Sequence, residues 1–194
     1  MIGKKAKMIF DHDFPHLTVS IRRAIPSDAM GIANVHVDSW RTTYRGIVPD
    51  EHLAALSYDK SSERWSNRLM KNDDRYAMFV AEDESGKIIG FADGGPERSG
   101  DTIYDGELYA IYLLQAYQRQ GIGASLVGYV VRYLLEAQFR SMLVWVLVGN
   151  PSRRFYEVLG GQTVREGQIE ISGKPLLEIA FGWADLRGLA TSLA

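Results

Sequence analysis

The distribution of hydrophobic residues along the chain predicts seven β-strands and five helices. The strands are short apolar runs rich in β-branched and aromatic residues, and we expect them at 18–24, 76–82, 87–93, 107–113, 141–148, 162–171 and 176–183. The helices are segments in which hydrophobic residues recur every three or four positions, and we expect them at 28–42, 50–56, 57–70, 121–135 and 153–159. This order of elements predicts an α/β (α+β) fold, with a mixed sheet that carries helices on both faces.

The segment 107–124 is the one around which the other elements can be arranged. It begins as an apolar strand, passes through a polar turn and enters a helix at Gly121 and Gly123. The helix carries two adjacent hydrophobic columns, Leu126, Val130 and Leu134, and Val127, Val131 and Leu135. Such a broad apolar face suits a helix that lies on a sheet. The turn and the helix N-terminus expose backbone N–H groups that can bind a phosphate, and Arg119 would add positive charge.

The glycine pair alone leaves two interpretations open. Close packing of a strand-to-helix turn explains Gly121 and Gly123 as well as phosphate binding does. The turn is not a P-loop, because no Gly-Lys-Ser/Thr sequence follows, and it lacks the third glycine and the acidic strand end of a dinucleotide-binding turn. The functional interpretation that remains is a backbone nest for a pyrophosphate.

Composition narrows the class of protein without identifying it. The chain has 194 residues, of which 46% are hydrophobic and 24% charged, and this predicts one soluble globular domain. With 22 basic and 24 acidic residues, the formal net charge of -2 gives no general attraction to nucleic acid or to an anionic membrane. Cysteine is absent, which excludes disulfides, a cysteine nucleophile and cysteine metal ligands, and suits a cytoplasmic location.

We expect the chain to divide into a flexible leader at 1–17, one domain at 18–188 and a short tail at 189–194. The basic start is not followed by an apolar run long enough for a signal peptide. No segment approaches the length of about 18 apolar residues that predicts a membrane span.

Three motifs together resemble the GCN5-related N-acetyltransferase (GNAT) superfamily, in its bacterial small-molecule or peptide type. They are the Glu-Leu-Tyr-Ala-Ile-Tyr-Leu strand from Glu107 with the Gln-x-x-Gly-x-Gly turn at 118–123, the Asn-Pro-Ser-Arg-Arg-Phe-Tyr segment from Asn150 to Tyr156, and the Trp-Arg-x-x-Tyr-Arg-Gly segment from Trp40. The resemblance in element order covers roughly residues 18–186. It implies a mostly antiparallel sheet of about six to seven strands that is splayed between the fourth and fifth strands.

The resemblance implies acetyl-CoA as the co-substrate. The turn would hold its pyrophosphate, and the exposed edge of the 107–113 strand would pair with its pantetheine arm, as an added strand pairs with a sheet edge. Asn150 would hydrogen-bond the pantetheine, and Arg153 or Arg154 would approach the 3′-phosphate. The implied cofactor-binding residues are Ile111, Tyr112, Leu113, Gln118, Arg119, Gln120, Gly121, Ile122, Gly123, Ala124, Asn150 and Arg153.

Acetyl transfer to an amine calls for a base and an acid. An alkyl amine with a pKa near 10 is only about 0.1% neutral at pH 7, so a base assists. Glu107 stands at the family's commonest base position, and its alternative is a solvated strand-end carboxylate. A backbone N–H near Tyr112 could stabilise the developing oxyanion. Tyr156 matches the acid that protonates the departing thiolate, and its alternative is an aromatic residue packed in the core.

The acceptor side carries weaker signals. Trp40, Tyr44 and Arg45 are candidates for the acceptor pocket, although two aromatic residues four positions apart on a helix also fit a core. The four histidines show no metal-ligand spacing, and we expect no metal.

The predicted function is direct transfer of acetyl from acetyl-CoA to a primary amine of a small molecule or a peptide N-terminus, in a ternary complex. The absence of cysteine favours direct transfer over a cysteine relay. Two alternatives stay open: a non-catalytic acyl-CoA-binding regulatory domain on the same fold, and a protein lysine or N-terminal acetyltransferase. We expect no nucleic-acid or membrane partner, and a homodimer is among the assemblies that the resemblance allows.

Overall fold

A computed structural model of the protein describes residues 6–8, 18–71 and 73–194. It contains one mixed β-sheet, against which the helices pack. Within those ranges the sheet has eight strands in the order β1-β2-β3-β4-β5-β6-β8-β7. The strands are β1 (Ala6–Met8), β2 (Val19–Arg23), β3 (Ala77–Glu82), β4 (Ile88–Pro96), β5 (Gly106–Leu113), β6 (Met142–Leu147), β7 (Gln162–Ile171) and β8 (Lys174–Trp183). Neighbouring strands are antiparallel except for β5 and β6, which are parallel.

Helices cover both faces of this sheet, and the predicted fold class is confirmed. They are α1 (Ala29–Thr43), α2 (Asp50–Ala55), α3 (Tyr58–Leu69), α4 (Ile122–Glu136), α5 (Arg153–Val158) and α6 (Leu186–Ser192), with 3-10 turns at Pro26–Asp28 and Gln115–Tyr117. α1 and α3 pack together on one face, while α4 and α6 pack on the other. None of the helices in the described ranges has the length and apolar character needed to cross a bilayer.

The apolar columns of α4 build the largest of three hydrophobic clusters in the described ranges. Most of the column residues have no solvent exposure, and they pack on the side chains of β3, β4 and β5 that point to this face. The core on the opposite face combines aliphatic residues of α1 and β3 with three aromatic residues, Trp65 of α3, Tyr76 and Phe91. Burial of these large apolar surfaces is the main force that fixes both helix layers on the sheet.

The parallel contact between β5 and β6 is very short. It consists of Gly106 opposite Met142 and Glu107 opposite Leu143, after which β5 continues to Leu113 with no partner on that side among the described strands. The other edge of β6 pairs with β8 along its whole length. The sheet is therefore splayed at the predicted place, since β5 and β6 are the fourth and fifth of the strands expected from the sequence.

The structure differs from the sequence-based expectations at three places. β4 extends past Asp93 to Pro96, because a bulge between Asp93 and Gly94 keeps the strand paired with β5. The boundary expected at 188 lies inside α6, whose Leu189 is buried against α4. Within the expected leader, β1 (Ala6–Met8) pairs with β2, and the remainder of 1–17 lies outside the described residues.

Candidate active site

The unpaired edge of β5 forms one wall of the candidate active site. Ile111, Tyr112 and Leu113 face Ala92, Phe91 and Gly90 across the β4–β5 ladder, and no other described strand pairs with them on the opposite side. Since successive residues of a strand point their backbone groups to alternate sides, part of the N–H and C=O groups of 108–113 face the gap. These residues are only partly buried beyond Leu108, so an extended molecule with amide groups can pair with this edge.

The turn that follows β5 presents its backbone to solvent. Arg119 and Gly121 both have left-handed backbone conformations, with φ of 61° and 79°, and the residues from Gln118 to Gly121 are exposed. Gly121 is the N-cap of α4 and supplies no side-chain cap, so the first N–H groups of this 15-residue helix are open to a ligand. Such a concave run of N–H groups at a helix N-terminus fits a pyrophosphate, and Arg119 adds a cation beside it.

Tyr156, on α5, lies near Tyr112 of β5. It is 6% exposed, and its ring stacks on Phe181 at 5.7 Å between centroids. Burial raises the pKa of Tyr156 above its ordinary range, and the nearby Tyr44 hydroxyl adds to the effect. The hydroxyl is therefore held in its protonated form, as an acid that protonates a thiolate must be.

A group of polar contacts joins α1, β5 and the loop before α5 at this point. Trp40 Nε1 donates to the hydroxyl of Tyr112 at 2.8 Å, and Asn150 Nδ2 donates to the hydroxyl of Tyr44 at 3.2 Å. The hydroxyls of Tyr44 and Tyr112 interact with each other, and burial raises the pKa of both. Two residues expected in the acceptor pocket, Trp40 and Tyr44, thus lie beside residues expected to bind the co-substrate.

The remaining candidates lie further out. Arg45 is exposed, with no contact among the described residues that would fix its side chain. Arg153 donates to the carbonyl oxygen of Val148 at 3.0 Å, at the end of β6. In residues 6–8, 18–71 and 73–194 there is no group of three or more His, Asp or Glu side chains that could hold a metal ion.

Glu107 lies at the start of β5 and is 3% exposed. Its carboxylate binds Arg98 at two points: Arg98 Nε donates to Oε2 at 3.0 Å, and Arg98 Nη2 donates to Oε1. The backbone N–H of Arg98 also donates to Oε2, at 3.1 Å. The sequence predicted Glu107 as a site residue but not its partner, which follows β4 in the chain.

Asp93 is a second carboxylate next to Glu107, and sequence reasoning did not identify it. Tyr76 Oη donates to Asp93 Oδ2 at 3.0 Å, and Arg68 Nε lies 3.6 Å from the same oxygen. The other oxygen, Oδ1, is buried and has no hydrogen-bond partner in the described part of the chain. Burial raises the pKa of Asp93 to about 6, although Arg68 and Tyr76 oppose the shift. In the sequence, Asp93 could have been recognised as an acidic residue inside an otherwise apolar strand, which is an unusual place for a carboxylate.

Asp93 lines a cavity of about 560 Å³ between α3 and the β4–β5 pair. Tyr109 and Ala110 of β5 form part of its wall, so the cavity reaches the strand that borders the splay. Arg98 also lines it, with its guanidinium 3.9 Å from the centre of the Tyr109 ring. The volume is within the range of small-molecule sites, which is about 300–1,000 Å³.

Comparison with known proteins identifies the family. The sequence model of the acetyltransferase (GNAT) family matches residues 36–160. The chain is 46% identical over 175 residues to YuaI of Bacillus subtilis (strain 168), named as an uncharacterized N-acetyltransferase, and the match covers 90% of this chain and 98% of that protein. The chain belongs to the GNAT family, as the motifs predicted, and it is an acetyl-CoA-dependent N-acetyltransferase.

Solved structures confirm the fold. PaiA N-acetyltransferase from Thermoplasma acidophilum, in complex with coenzyme A, has a TM-score of 0.66 and 19% identity, and the match covers 83% of this chain and 97% of that one. YncA from Salmonella typhimurium, with its cofactor acetyl-CoA, has a TM-score of 0.64 and 20% identity, with coverage of 87% and 94%.

Proposed function

We propose that the enzyme transfers acetyl directly from acetyl-CoA to a primary amine of a small molecule or a peptide N-terminus while both substrates are bound. The observation that supports this is the arrangement along the open edge of β5. A phosphate-binding turn follows the strand, the Tyr156 hydroxyl lies near the Tyr112 side chain, and the Glu107 carboxylate lies at the strand's start.

The donor side of the proposal uses backbone groups. The N–H groups of Gln118 to Ala124, including Gln120, Ile122 and Gly123, would hold the pyrophosphate, and those of Ile111 to Leu113 would pair with the pantetheine amides. Asn150 uses one amide hydrogen for Tyr44 and keeps the second for the pantetheine. Arg153, at the start of α5, would lie nearest the 3′-phosphate. Acetyl-CoA supplies an acetyl group activated as a thioester.

Glu107, acting directly or through water, would remove the proton that the acceptor nitrogen loses as it bonds to the acetyl carbon. The carbon–sulfur bond breaks in the same reaction, and Tyr156 would give its proton to the departing sulfur. A backbone N–H near Tyr112 would donate to the acyl oxygen as negative charge develops there. The ion pair with Arg98 orients the Glu107 carboxylate but leaves Oε1 with a free lone pair for a proton.

Direct transfer is supported by the absence of cysteine from the 194 residues, since a thiol relay has no residue to use. Mass spectrometry after incubation with acetyl-CoA alone tests this point. We expect the unmodified mass, and a stable acetyl adduct that transfers to added amine would contradict direct transfer.

The acid assignment is tested with Tyr156→Phe in a thiol-release assay over a panel of amines. We expect kcat to fall by about 10²-fold, the usual contribution of general acid catalysis, with coenzyme A affinity unchanged by calorimetry. Tyr129→Phe, which removes a hydroxyl on α4, is the matched control and should keep full activity. If the wild type binds coenzyme A but releases no thiol with any amine of the panel, the proposed primary-amine acceptor is contradicted.

A further inference from the structure

We infer that the cavity between α3 and the β4–β5 pair binds an acceptor that carries an anionic group, such as a carboxylate, beside its primary amine. The inference rests on the proposed function and narrows its substrate class to amino-acid-like small molecules. It also disfavours a peptide N-terminus, which has no anionic group at that position.

The anion-binding end of the cavity is a row of cations on α3. Lys60, Arg64 and Arg68 are spaced four residues apart and therefore lie on one face of the helix, and all three line the cavity. Lys71 continues the row beyond the helix end, and Arg98, in the segment after β4, also lines the cavity. Arg98 is already paired with Glu107 and Arg68 lies near Asp93, whereas among the described residues that line the cavity only Glu63 remains to offset Lys60, Arg64 and Lys71.

The amine-binding end is Asp93, on the sheet side of the cavity. Its side chain is almost completely buried, yet in the described part of the chain Oδ1 has no hydrogen-bond partner, and the neighbouring Arg68 Nε makes no hydrogen bond there either but lies 3.6 Å from Oδ2. A buried polar atom in this condition is costly unless a ligand or water satisfies it. An amine hydrogen donated to Oδ1 would satisfy it and would place the nitrogen next to Ala110 of β5.

The two ends together select for a molecule with both charges. An acceptor with an amine alone would occupy the Asp93 end and leave the cation row unpaired. A molecule with an anion alone would have no nucleophile for Glu107 to deprotonate. A second cavity, of about 640 Å³ beside α1, lacks this pairing of free cations with an unsatisfied carboxylate, because its buried carboxylates, Asp28 and Glu82, both already bind Arg22.

The test uses matched pairs of acceptors, each an amino acid and its carboxamide, in the thiol-release assay. The carboxamide keeps the shape of the amino acid but lacks its negative charge. Its amine is also the more easily deprotonated of the two, which favours the carboxamide as a nucleophile. A preference for the amino acid therefore indicates that the enzyme binds the anionic group. We expect kcat/KM for the amino acids to be at least about tenfold higher, the scale of one charge-assisted contact. Equal or better use of the carboxamides would overturn the inference while leaving the proposed function intact.

Two substitutions on α3 test whether its cations bind the anionic group of the acceptor. Lys60→Met and Arg64→Met should each lower kcat/KM for amino acids by about tenfold and leave the carboxamides unchanged. Arg132→Met, at an exposed position of α4 on the opposite face, is the matched control and should change neither. An equal loss for both members of a pair, or the same loss in Arg132→Met, would contradict the assignment.

A binding measurement separates this inference from the proposed function. Calorimetry of amino acids with the coenzyme A complex of the wild type and of Arg64→Met does not depend on turnover. Binding that is lost in the variant supports the cavity assignment even if no amine is acetylated. Absence of binding to the wild type by every amino acid in the panel would overturn it.

Discussion

Arg98 donates hydrogen bonds from its side chain to both carboxylate oxygens of Glu107, and its backbone N–H donates to one of them as well. The pair connects the segment after β4 with the first residues of β5. It holds Glu107 in one orientation at the point where β5 and β6 separate. Substitution of Glu107 is therefore expected to affect the chemical step more than the binding of either substrate.

Glu107→Gln should lower kcat by about 10²-fold, because glutamine cannot take the amine proton, while KM for the acceptor changes by less than about threefold. Glu107→Asp keeps a carboxylate and should recover part of the rate. Steady-state kinetics at saturating acetyl-CoA measure both values. Wild-type kcat in Glu107→Gln would exclude this residue as the base.

Asp93→Asn should affect KM more than kcat, because the inferred role of Asp93 is to bind the amine. We expect a KM for the amine that is at least about tenfold higher and a smaller change in kcat. The charged or titratable groups that face Asp93 are Arg68 from α3, Tyr76 before β3, Arg98 after β4, and Glu107 on β5. A kcat effect with an unchanged KM would contradict this role.

The same carboxylate predicts a pH dependence of KM. Burial raises the pKa of Asp93 to about 6, so its negative charge is present above that pH and is lost as the pH falls through it. KM for the amine should therefore rise between about pH 7 and pH 5. Tyr76→Phe removes a hydrogen bond that lowers this pKa, so the midpoint should move to higher pH. A midpoint that stays in place or moves down would contradict the assignment.

Gly121→Glu should abolish coenzyme A binding while the protein remains folded. The new side chain brings negative charge to the proposed pyrophosphate site, and it must adopt a left-handed conformation that costs about 1–2 kcal/mol. Gly86→Glu, at a turn residue with φ of 81° and open space around it, has the same backbone cost and is the matched control. Normal affinity by calorimetry in Gly121→Glu would refute the phosphate-nest interpretation.

His36 should make the folded protein sensitive to acid. It is buried among the rings of Trp40, Trp65 and Tyr112, and burial lowers its pKa to about 4. The unfolded chain takes up this proton near pH 6.5 and the folded protein does not. The stabilisation is therefore complete above about pH 6.5 and is lost toward pH 4, by up to about 1.4 kcal/mol per pH unit.

Denaturant unfolding of His36→Phe and wild type across this range measures the effect as a difference. Asp93 titrates in the opposite sense between about pH 4 and pH 6, but it is common to both proteins and cancels. The wild-type stability should fall more steeply with acid than that of the variant. Parallel curves would show that His36 does not control this dependence.

The sequence predicted those features that depend on local pattern. The hydrophobic columns of α4, the strand alternation and the turn at Gly121 are all encoded within a few residues, and each lies where expected. Asp93 and Arg68 come together only because α3 packs across β4, and Asn150 meets Tyr44 across 106 residues of chain. Such contacts are set by sheet register and helix packing, which no local pattern specifies. α6 was missed because it is short and contains Gly188.

The two-residue contact between β5 and β6 divides the sheet into a five-strand panel and a three-strand panel within the described ranges. A donor lying in the gap would bridge the panels and stabilise the folded chain in proportion to the logarithm of its concentration. The concentration of acetyl-CoA in the cell would then determine the enzyme's resistance to proteolysis as well as its reaction rate. Protease resistance with and without coenzyme A measures this, and equal resistance would exclude it.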